Sequence, residues 1–193
     1  MEDLAVRGTD TMLAMDEIGA MSDKKALSGI LFALSTGRTK SRKSGRERGL
    51  TQGDSFRPFT VMSSEKGMRN EIKGAGDSYR GGLAVRFPDI DVSDGVSVSG
   101  DNLSKLDTFK SHYGQAGPVF IRHLIKTGIA SDPAKLEQDV LKIAADLAHG
   151  CGPSMARAAR VFALVQRGGE IAAEAGLFGD VTNAKANIKT TVQ

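Results

Sequence analysis

Short apolar segments in the first half of the chain predict β-strands. Residues 11–18 (TMLAMDEI) and 56–64 (FRPFTVMSS) each contain apolar residues that do not alternate regularly with polar ones. This pattern is typical of strands that are covered on both faces of a sheet. Residues 83–88 (LAVRFP) predict a third strand, which the proline would end. We therefore expect a buried sheet in the first half of the chain.

Helical spacing of apolar residues follows the first two strands and dominates the second half. Residues 24–34 predict an amphipathic helix with an N-cap candidate in Ser22-Asp23 and an end near Gly37, and residues 65–72 predict a short helix. Four further helical segments are predicted at residues 104–113, 118–126, 133–149 and 154–175. The order of the elements predicts an α/β part followed by a helical part.

Length and composition support this division. The chain has 193 residues, of which 40% are hydrophobic, and this length suits one domain with a small appendage. We expect an α/β domain over residues 1–100, a helical subdomain over 101–181 and a polar, frayed tail over 182–193. No apolar run approaches the roughly 20 residues that cross a bilayer, so no membrane partner is expected. The single cysteine, Cys151, cannot form an internal disulfide, which favours the reducing cytoplasm.

Positive charge is concentrated in one short segment, although the net charge of the whole chain is only +3. Residues 36–49 contain a single acid and no apolar residue, and the basic residues among them are Arg38, Lys40, Arg42, Lys43, Arg46 and Arg48. Such a segment predicts a loop or hairpin tip that contacts the DNA backbone without reading bases. The alternative is a solvated loop that favours solubility.

Two adjacent carboxylates, Asp16 and Glu17, end the first predicted strand. In a nucleotide hydrolase the first of them could hold Mg²⁺, and the second could orient the attacking water. The alternative is a strand that ends in two solvated acids before a turn. A phosphate-binding loop of the form GxxxxGK[ST], the usual companion of such a pair, does not occur in the sequence.

Six segments in collinear order resemble one family. They are TDTMLAMDEIGA (9–20), ALSTGRTKSR (33–42), FTVMSSE (59–65), GGLAVRFPDI (81–90), HYGQAGPVFIRHL (112–124) and RAARVFALVQRGGEIA (157–172). Together they resemble the C-terminal part of the domain-of-unknown-function family numbered nine hundred twenty-seven. Its members occur in phages and mobile elements and look like P-loop helicase-type ATPases. The chain resembles a member truncated after the phosphate-binding (Walker A) loop. The implied fold is therefore a partial P-loop NTPase core of the RecA/AAA+ type, followed by a C-terminal helical subdomain.

The resemblance also implies roles for particular residues. Asp16 would bind Mg²⁺ together with ATP, and Glu17 would position water. Ser64 would be a sensor of the γ-phosphate, unless it only caps the helix that follows. Arg86 would reach the nucleotide of a neighbouring subunit, and Arg160 would contribute a second arginine contact. For these two arginines the alternatives are a surface ion pair and a position beside an apolar helix stripe.

We therefore expect a fragment of a nucleotide-driven, DNA-acting, helicase-like ATPase from a phage or mobile element, with a role in DNA replication. Its cofactors would be Mg²⁺ and ATP, and its partners would be DNA and further copies of itself, as in a ring. Without a phosphate-binding loop, residues 1–193 alone are not expected to hydrolyse ATP. The alternative function is a non-catalytic DNA-binding or assembly module that retains the ATPase scaffold.

Overall fold

The computed structural model describes residues 2–21, 23–38, 55–79, 81–92, 105 and 107–192. The chain divides into two compact units, Met1–Asp91 and Val92–Gln193. The described residues are mostly helical and include a two-stranded parallel sheet in the first unit. The protein is therefore mixed α/β, while the P-loop NTPase core stays a prediction.

The first unit combines the sheet with short helices. Its elements are α1 (Glu2–Arg7), β1 (Met12–Met15), α2 (Leu27–Thr36), β2 (Phe59–Met62), α3 (Met68–Gly74) and α4 (Gly81–Arg86). Strands β1 and β2 run parallel, with Met12 opposite Phe59 and Met15 opposite Met62. Two 3₁₀ turns, Ile18–Ala20 and Lys24–Ala26, connect β1 to α2.

The predicted end of α2 is confirmed, whereas the α-helix begins at Leu27, after the 3₁₀ turn Lys24–Ala26. The Asp23 carboxylate accepts a hydrogen bond of 3.2 Å from the Ala26 amide, which caps the turn that leads into the helix. At the other end Gly37 adopts a left-handed backbone with φ 67°, and its amide donates to the Ala33 carbonyl at 3.1 Å. Glycine adopts this conformation at little cost, so the sequence signal had a clear physical origin.

Both predicted strands are real, but the prediction that they are covered on both faces is wrong. Exposure alternates along each strand, and the Met12 side chain is 65% exposed. Met15 and Met62 pack against the core on the covered face. The apolar side chains of the other face lie at the surface, where sequence patterning cannot distinguish them from buried ones.

The third predicted strand is wrong as well, because residues 81–86 form helix α4. The Phe87 amide donates to the Leu83 carbonyl at 2.8 Å, which extends the helical bonding by one residue. Leucine, alanine and arginine are all strong helix formers, and Pro88 follows the helix end as prolines often do. Arg86 is therefore the last residue of a helix and not part of a strand.

Large apolar side chains form the core of the first unit. The buried cluster consists of Ile18, Leu27, Leu31, Met68, Ile72 and Leu83. It joins the 3₁₀ turn after β1 to helices α2, α3 and α4, so the residues that follow the strands are held by packing on several sides.

All the regular elements described in the second unit are helices. Its helices are α5 (Ala116–Lys126), α6 (Pro133–Leu147), α7 (Pro153–Glu174) and α8 (Val181–Val192), with 3₁₀ turns at Asp107–Lys110 and Ile129–Ser131. Three of the four predicted helices are confirmed, and the fourth, residues 104–113, contains the turn Asp107–Lys110. Helices α6 and α7 bury Ala144, Ala159 and Ala163 between them.

The tail that the sequence predicts to be frayed contains helix α8. Asp180 caps it, accepting a hydrogen bond of 2.7 Å from the Asn183 amide. Lys185 then reaches Glu174 of α7 at 2.6 Å, and Ile188 packs close to Gly169. Contacts to α7 order a segment whose polar composition suggested disorder. No helix in the described parts of the chain is long and apolar enough to cross a membrane.

Candidate functional site

Asp16 and Ser63 directly follow the two parallel strands, at the same edge of the sheet. The Ser63 amide donates to the Met15 carbonyl at 3.0 Å, and the Ser63 carbonyl accepts from the Ile18 amide at 2.9 Å. These backbone bonds extend the ladder past the strand ends. Through them the residues after β1 and the residues after β2 are held in a fixed register.

The Ser63 side chain connects both carboxylate-bearing residues. Its hydroxyl donates to Oδ1 of Asp16 at 2.5 Å and accepts a hydrogen bond of 2.9 Å from the Glu17 amide. Asp16 is exposed, and within the described residues its Oδ2 has no hydrogen-bond partner. The serine therefore fixes one oxygen of the carboxylate and leaves the other open to a ligand.

Glu17 turns the chain sharply at this edge. Its backbone is left-handed, with φ 51° and ψ 63°, which is uncommon for a residue with a side chain and costs about 1–2 kcal/mol. The turn brings the Glu17 side chain beside Gly19, where Oε1 lies 2.8 Å from the position that a Cβ on Gly19 would occupy. The hydrogen bond from the Glu17 amide to Ser63 supports this conformation.

Two further oxygens face the same position beside Gly19. Oε1 of Glu71 lies 3.1 Å from it, and Oγ of Ser64 lies 3.3 Å from it. We call Glu17, Ser64 and Glu71 the oxygen cluster. Glu71 is only 6% exposed, and its Oε2 forms an ion pair of 3.2 Å with Lys24. The Ser64 hydroxyl oxygen is shielded from solvent and has no hydrogen-bond partner.

The structure thus brings together three of the residues that the sequence singled out, namely Asp16, Glu17 and Ser64. Ser63, which the sequence analysis passed over for its neighbour, is the serine that contacts Asp16. Glu71 and Lys24 were missed entirely. Glu71 lies on a short helix among other polar residues, and nothing in its spacing distinguishes it from a solvated acid.

Arg86 does not join this group. Its Nη1 donates to the Gly82 carbonyl of its own helix at 3.0 Å, and its side chain is exposed. No hydrogen bond or ion pair in the described part of the chain connects it to Asp16 or Glu17. Arg160, the other predicted arginine, is exposed on α7 in the second unit.

Only the first basic residue of the basic segment, Arg38, lies within the described residues. Arg38 and Ser55 form an antiparallel bridge, and the Phe56 amide donates to the Gly37 carbonyl at 2.9 Å. Arg38 is exposed. The remaining predicted DNA contacts, Lys40, Arg42, Lys43, Arg46 and Arg48, lie outside the described residues.

The donors at the sheet edge suit a hard cation. Among the described residues, no three or more His, Cys, Asp or Glu side chains gather in a way that could hold a metal ion. Magnesium, however, is commonly bound through only one or two carboxylates, with water or phosphate oxygens completing the shell. Asp16, the carboxylates of the oxygen cluster and the unpartnered Ser64 hydroxyl are donors of this kind. The residues present therefore fit Mg²⁺.

A second polar group, in the helical unit, has a different character. We call it the Glu174 network, and its members are His123, Asp139, Arg167, Glu170, Glu174 and Lys185. Burial alone would raise the pKa of Glu174, but the hydrogen bond from Lys185 and the positive charges of Lys185, Arg167 and His123 together lower the pKa below its usual value of 4.5. Acids and bases here form ion pairs with one another, although Nε2 of His123 and Nε of Arg167 are buried without a hydrogen-bond partner.

Comparisons of the chain with protein-family models, with curated proteins and with solved structures return no match.

Proposed function

We propose that this chain is part of a nucleotide-driven, helicase-like ATPase that acts on DNA, as its resemblance to the phage and mobile-element family implies. The observation that carries the proposal is the pairing of Asp16 with Ser63 across two parallel strands, with Glu17 next in the chain. A carboxylate fixed at the carboxyl edge of parallel strands lies where α/β proteins commonly bind ligands.

In this proposal Asp16 holds Mg²⁺ through the oxygen that Ser63 leaves open. The ion, when bound, would supply positive charge that offsets the charge of the nucleotide phosphates. Ser63 keeps the Asp16 carboxylate in one orientation, because its hydroxyl is itself fixed by the Glu17 amide. Glu17 would orient and polarise the attacking water. Ser64 and Arg86 keep the roles that the resemblance implies, as sensor of the γ-phosphate and as contact to a neighbouring subunit.

ATP turnover tests the nucleotide part of the proposal. The chain fused to a segment that carries GxxxxGK[ST] should hydrolyse Mg-ATP, whereas residues 1–193 alone should not. In the fusion, Glu17→Gln should lower turnover about 100-fold or more, because an amide cannot polarise water as a carboxylate does. Glu65→Gln removes an exposed acid near the same edge and serves as the matched control. Full activity of the Glu17→Gln fusion would contradict the role of this residue.

Binding to DNA through the basic segment is the second part of the proposal. The charge of the segment supports it, because residues 36–49 contain six basic residues and a single acid. Replacing Arg42, Lys43 and Arg46 together by alanine should make the slope of log K against log salt shallower by roughly two to three. Loss of affinity should be similar for different sequences, since backbone contacts do not read bases.

Fluorescence anisotropy with labelled DNA at several salt concentrations measures this slope. The matched control replaces Lys126, Lys135 and Lys142, three exposed lysines of the second unit, and removes the same charge. An unchanged slope in the first variant, or an equal change in the control, would reduce the segment to a solubility element.

A second candidate function is a non-catalytic DNA-binding or assembly module. The absence of the string GxxxxGK[ST] from the sequence favours it. It predicts the same salt-dependent DNA binding, with no ATP turnover by the chain or by the fusion. The two assays together therefore separate the candidates.

A further inference from the structure

We infer that the exposed face of the sheet in the first unit, together with the arginines that precede β2, is a binding surface for single-stranded nucleic acid. The inference deepens the DNA-binding part of the proposed function, on which it rests, because it specifies the form of the nucleic acid and a surface beside the basic segment. It is independent of the ATPase part.

One face of the sheet is apolar and exposed to solvent. Four side chains form it, namely Met12, Ala14, Phe59 and Val61, and we call them the open sheet face. In the parallel register Met12 lies opposite Phe59, and Ala14 lies opposite Val61. Met15, on the other face, packs against the core. Because parallel sheets are normally covered on both faces, an exposed apolar face of this kind indicates a surface for a partner.

Arg57 continues this face before β2 begins. It precedes a proline, which favours an extended backbone, and its carbonyl accepts a hydrogen bond of 3.2 Å from the Asp10 amide. Alternate residues of an extended chain lie on one face, so Arg57 and Phe59 share a face. Exposure follows the same alternation, because Arg57 is exposed and Phe56 before it is buried. The open sheet face therefore has an arginine at the amino end of β2.

The basic segment begins beside this arginine. Arg38 lies directly opposite Ser55 in the antiparallel bridge, and residues paired in this way project to the same face. Ser55 is exposed and lies two residues before Arg57, which places Arg38 on the side of the open sheet face. Residues 36–57 contain seven basic residues and two acids. The charge next to the open sheet face is thus complementary to phosphate groups.

An aromatic ring next to arginines suits a single strand better than a duplex. The Phe59 side chain is 37% exposed, and its ring offers a surface on which an unpaired base can stack. Arginines beside it can contact the phosphates of the same strand. In a duplex the bases are stacked on one another, so only the arginines would find partners there. The open sheet face therefore favours single strands.

A carboxylate now occupies one of these arginines. Nε of Arg57 lies 3.3 Å from Oδ1 of Asp10, and the two side chains are 81% and 64% exposed. Exposed ion pairs contribute little to stability, so a phosphate can compete for the arginine. Asp10 has a left-handed backbone with φ 61°, a conformation that asparagine also adopts. Asp10→Asn therefore removes the competing charge without straining the turn.

The experiment measures fluorescence anisotropy of a labelled oligothymidine of about 12 nucleotides, and of a duplex of the same length, with the full chain. Phe59→Leu should lower the affinity for the single strand about fivefold or more, because base stacking on the ring is lost. Its affinity for the duplex should stay within about twofold of wild type. Asp10→Asn should raise the affinity for the single strand roughly two- to fivefold, since the arginine is released.

Phe32→Leu is the matched control, because Phe32 is an exposed phenylalanine of α2, the helix whose Leu31 packs into the core. Its affinity for the single strand should equal that of wild type. Circular dichroism checks that Phe59→Leu is folded, and Asp10→Asn gives a second result that does not depend on the ring. The inference is overturned if Phe59→Leu loses no affinity for the single strand, if Phe32→Leu loses as much, or if Asp10→Asn binds no better than wild type.

The variant of Arg42, Lys43 and Arg46 separates this inference from the proposed function. Duplex binding that depends on these three residues, without any effect of Phe59→Leu on single strands, would support the basic segment and overturn the inference. An unchanged salt slope in the triple variant, with single-strand affinity that depends on Phe59, would contradict the role of the basic segment and support the open sheet face. Absence of single-strand binding by wild type would overturn the inference, whatever the duplex does.

Discussion

In the first unit, oxygens converge beside Gly19 with one lysine near them, whereas in the second unit acids and bases alternate around Glu174. Glu174 lies 2.6 Å from Lys185, 3.7 Å from Arg167 and 3.9 Å from His123. Arg167 in turn reaches Asp139 at 3.4 Å and Glu170 at 3.5 Å. The second group connects its helices through ion pairs. Both groups contain buried atoms without a hydrogen-bond partner, namely Oγ of Ser64 in the first and Nε2 of His123 and Nε of Arg167 in the second.

The contrast teaches how to separate a structural polar group from a candidate site. Matched charges that satisfy each other lower the free energy of the folded state without any ligand. A group with an excess of one charge lacks this mutual compensation and is therefore the better candidate for binding a ligand of opposite charge. By this criterion the sheet edge of the first unit is the candidate site, although the Glu174 network contains more charged residues.

The apolar cores of the two units also differ, in the size of their buried side chains. Among the described residues, the largest fully buried side chains are Leu27, Leu31, Phe56 and Ile72, and all four lie in the first unit. The core between α6 and α7 consists of alanines, surrounded by partly buried larger residues. Large interlocking side chains position the sheet edge, whereas close approach of helices through small residues organises the second unit.

The largest expected effect is the loss of a core side chain in the first unit. Leu31 is fully buried on α2, so Leu31→Ala should lower the free energy of unfolding by about 2–5 kcal/mol. Phe32→Ala is the matched control, because Phe32 is the next residue and is 55% exposed. Phe32→Ala should lower the free energy of unfolding much less than Leu31→Ala does. Urea unfolding followed by circular dichroism measures both values, and equal losses would contradict the described packing of α2.

Local signals explain the part of the fold that the sequence predicted. The cap at Asp23 and the left-handed Gly37 act over a few residues, and the apolar stripes of α6 and α7 repeat several times. The wrong strand prediction concerns a short apolar segment that fits both a strand and a helix. Residues 83–88 are too few for the periodicity of a strand or a helix to be decisive, and tertiary context selects the helix.

At the candidate site, the sequence predicted only the residues that directly follow the strands. Asp16, Glu17 and Ser64 directly follow apolar segments, which marks them as residues of a sheet edge. Glu71 and Lys24 lie elsewhere in the chain, and their approach to the edge depends on how α3 packs. The choice between Ser63 and Ser64 depends on which side of the strand each hydroxyl faces. A shift of one residue reverses that face.

A change in pH should distinguish the Glu174 network from the sheet edge. Since the pKa of Glu174 is lowered in the folded state, its carboxylate stabilises the fold fully above its usual pKa of 4.5. That contribution is lost as the pH falls through the lower folded pKa. Glu174→Gln should therefore cost about 1 kcal/mol at neutral pH and little in strong acid. The side chains of the network are partly exposed, so solvent screening limits the loss of stability in Glu174→Gln.

Thermal unfolding of wild type and Glu174→Gln between neutral pH and pH ~3 measures this difference. Glu137→Gln is the control, because Glu137 is exposed on α6 and forms no ion pair with the described residues. A difference in stability that persists unchanged into acid would show that the glutamine disturbs packing and not charge.

The smallest expected effect is the difference in stability between alanine variants of two neighbouring glycines of α7. A Cβ on Gly168 would meet no atom within 4 Å, whereas a Cβ on Gly169 would lie 3.1–3.4 Å from three carbons of Ile188 on α8. Gly168→Ala should raise the stability by about 0.5–1 kcal/mol, because alanine loses less conformational freedom in a helix. That gain corresponds to a rise of the melting temperature by roughly 1–4 °C.

Gly169→Ala should raise the stability less than Gly168→Ala does, or not at all, because its methyl group requires the Ile188 side chain to move. The two variants share the same chemical change and the same helix, so the difference between their melting temperatures isolates the contact of α7 with α8. Scanning calorimetry resolves a difference of this size. If Gly169→Ala stabilised the protein as much as Gly168→Ala, α8 would not pack against α7 at this distance. The tail that the sequence predicts to be frayed would then be held mainly by Lys185 and Glu174.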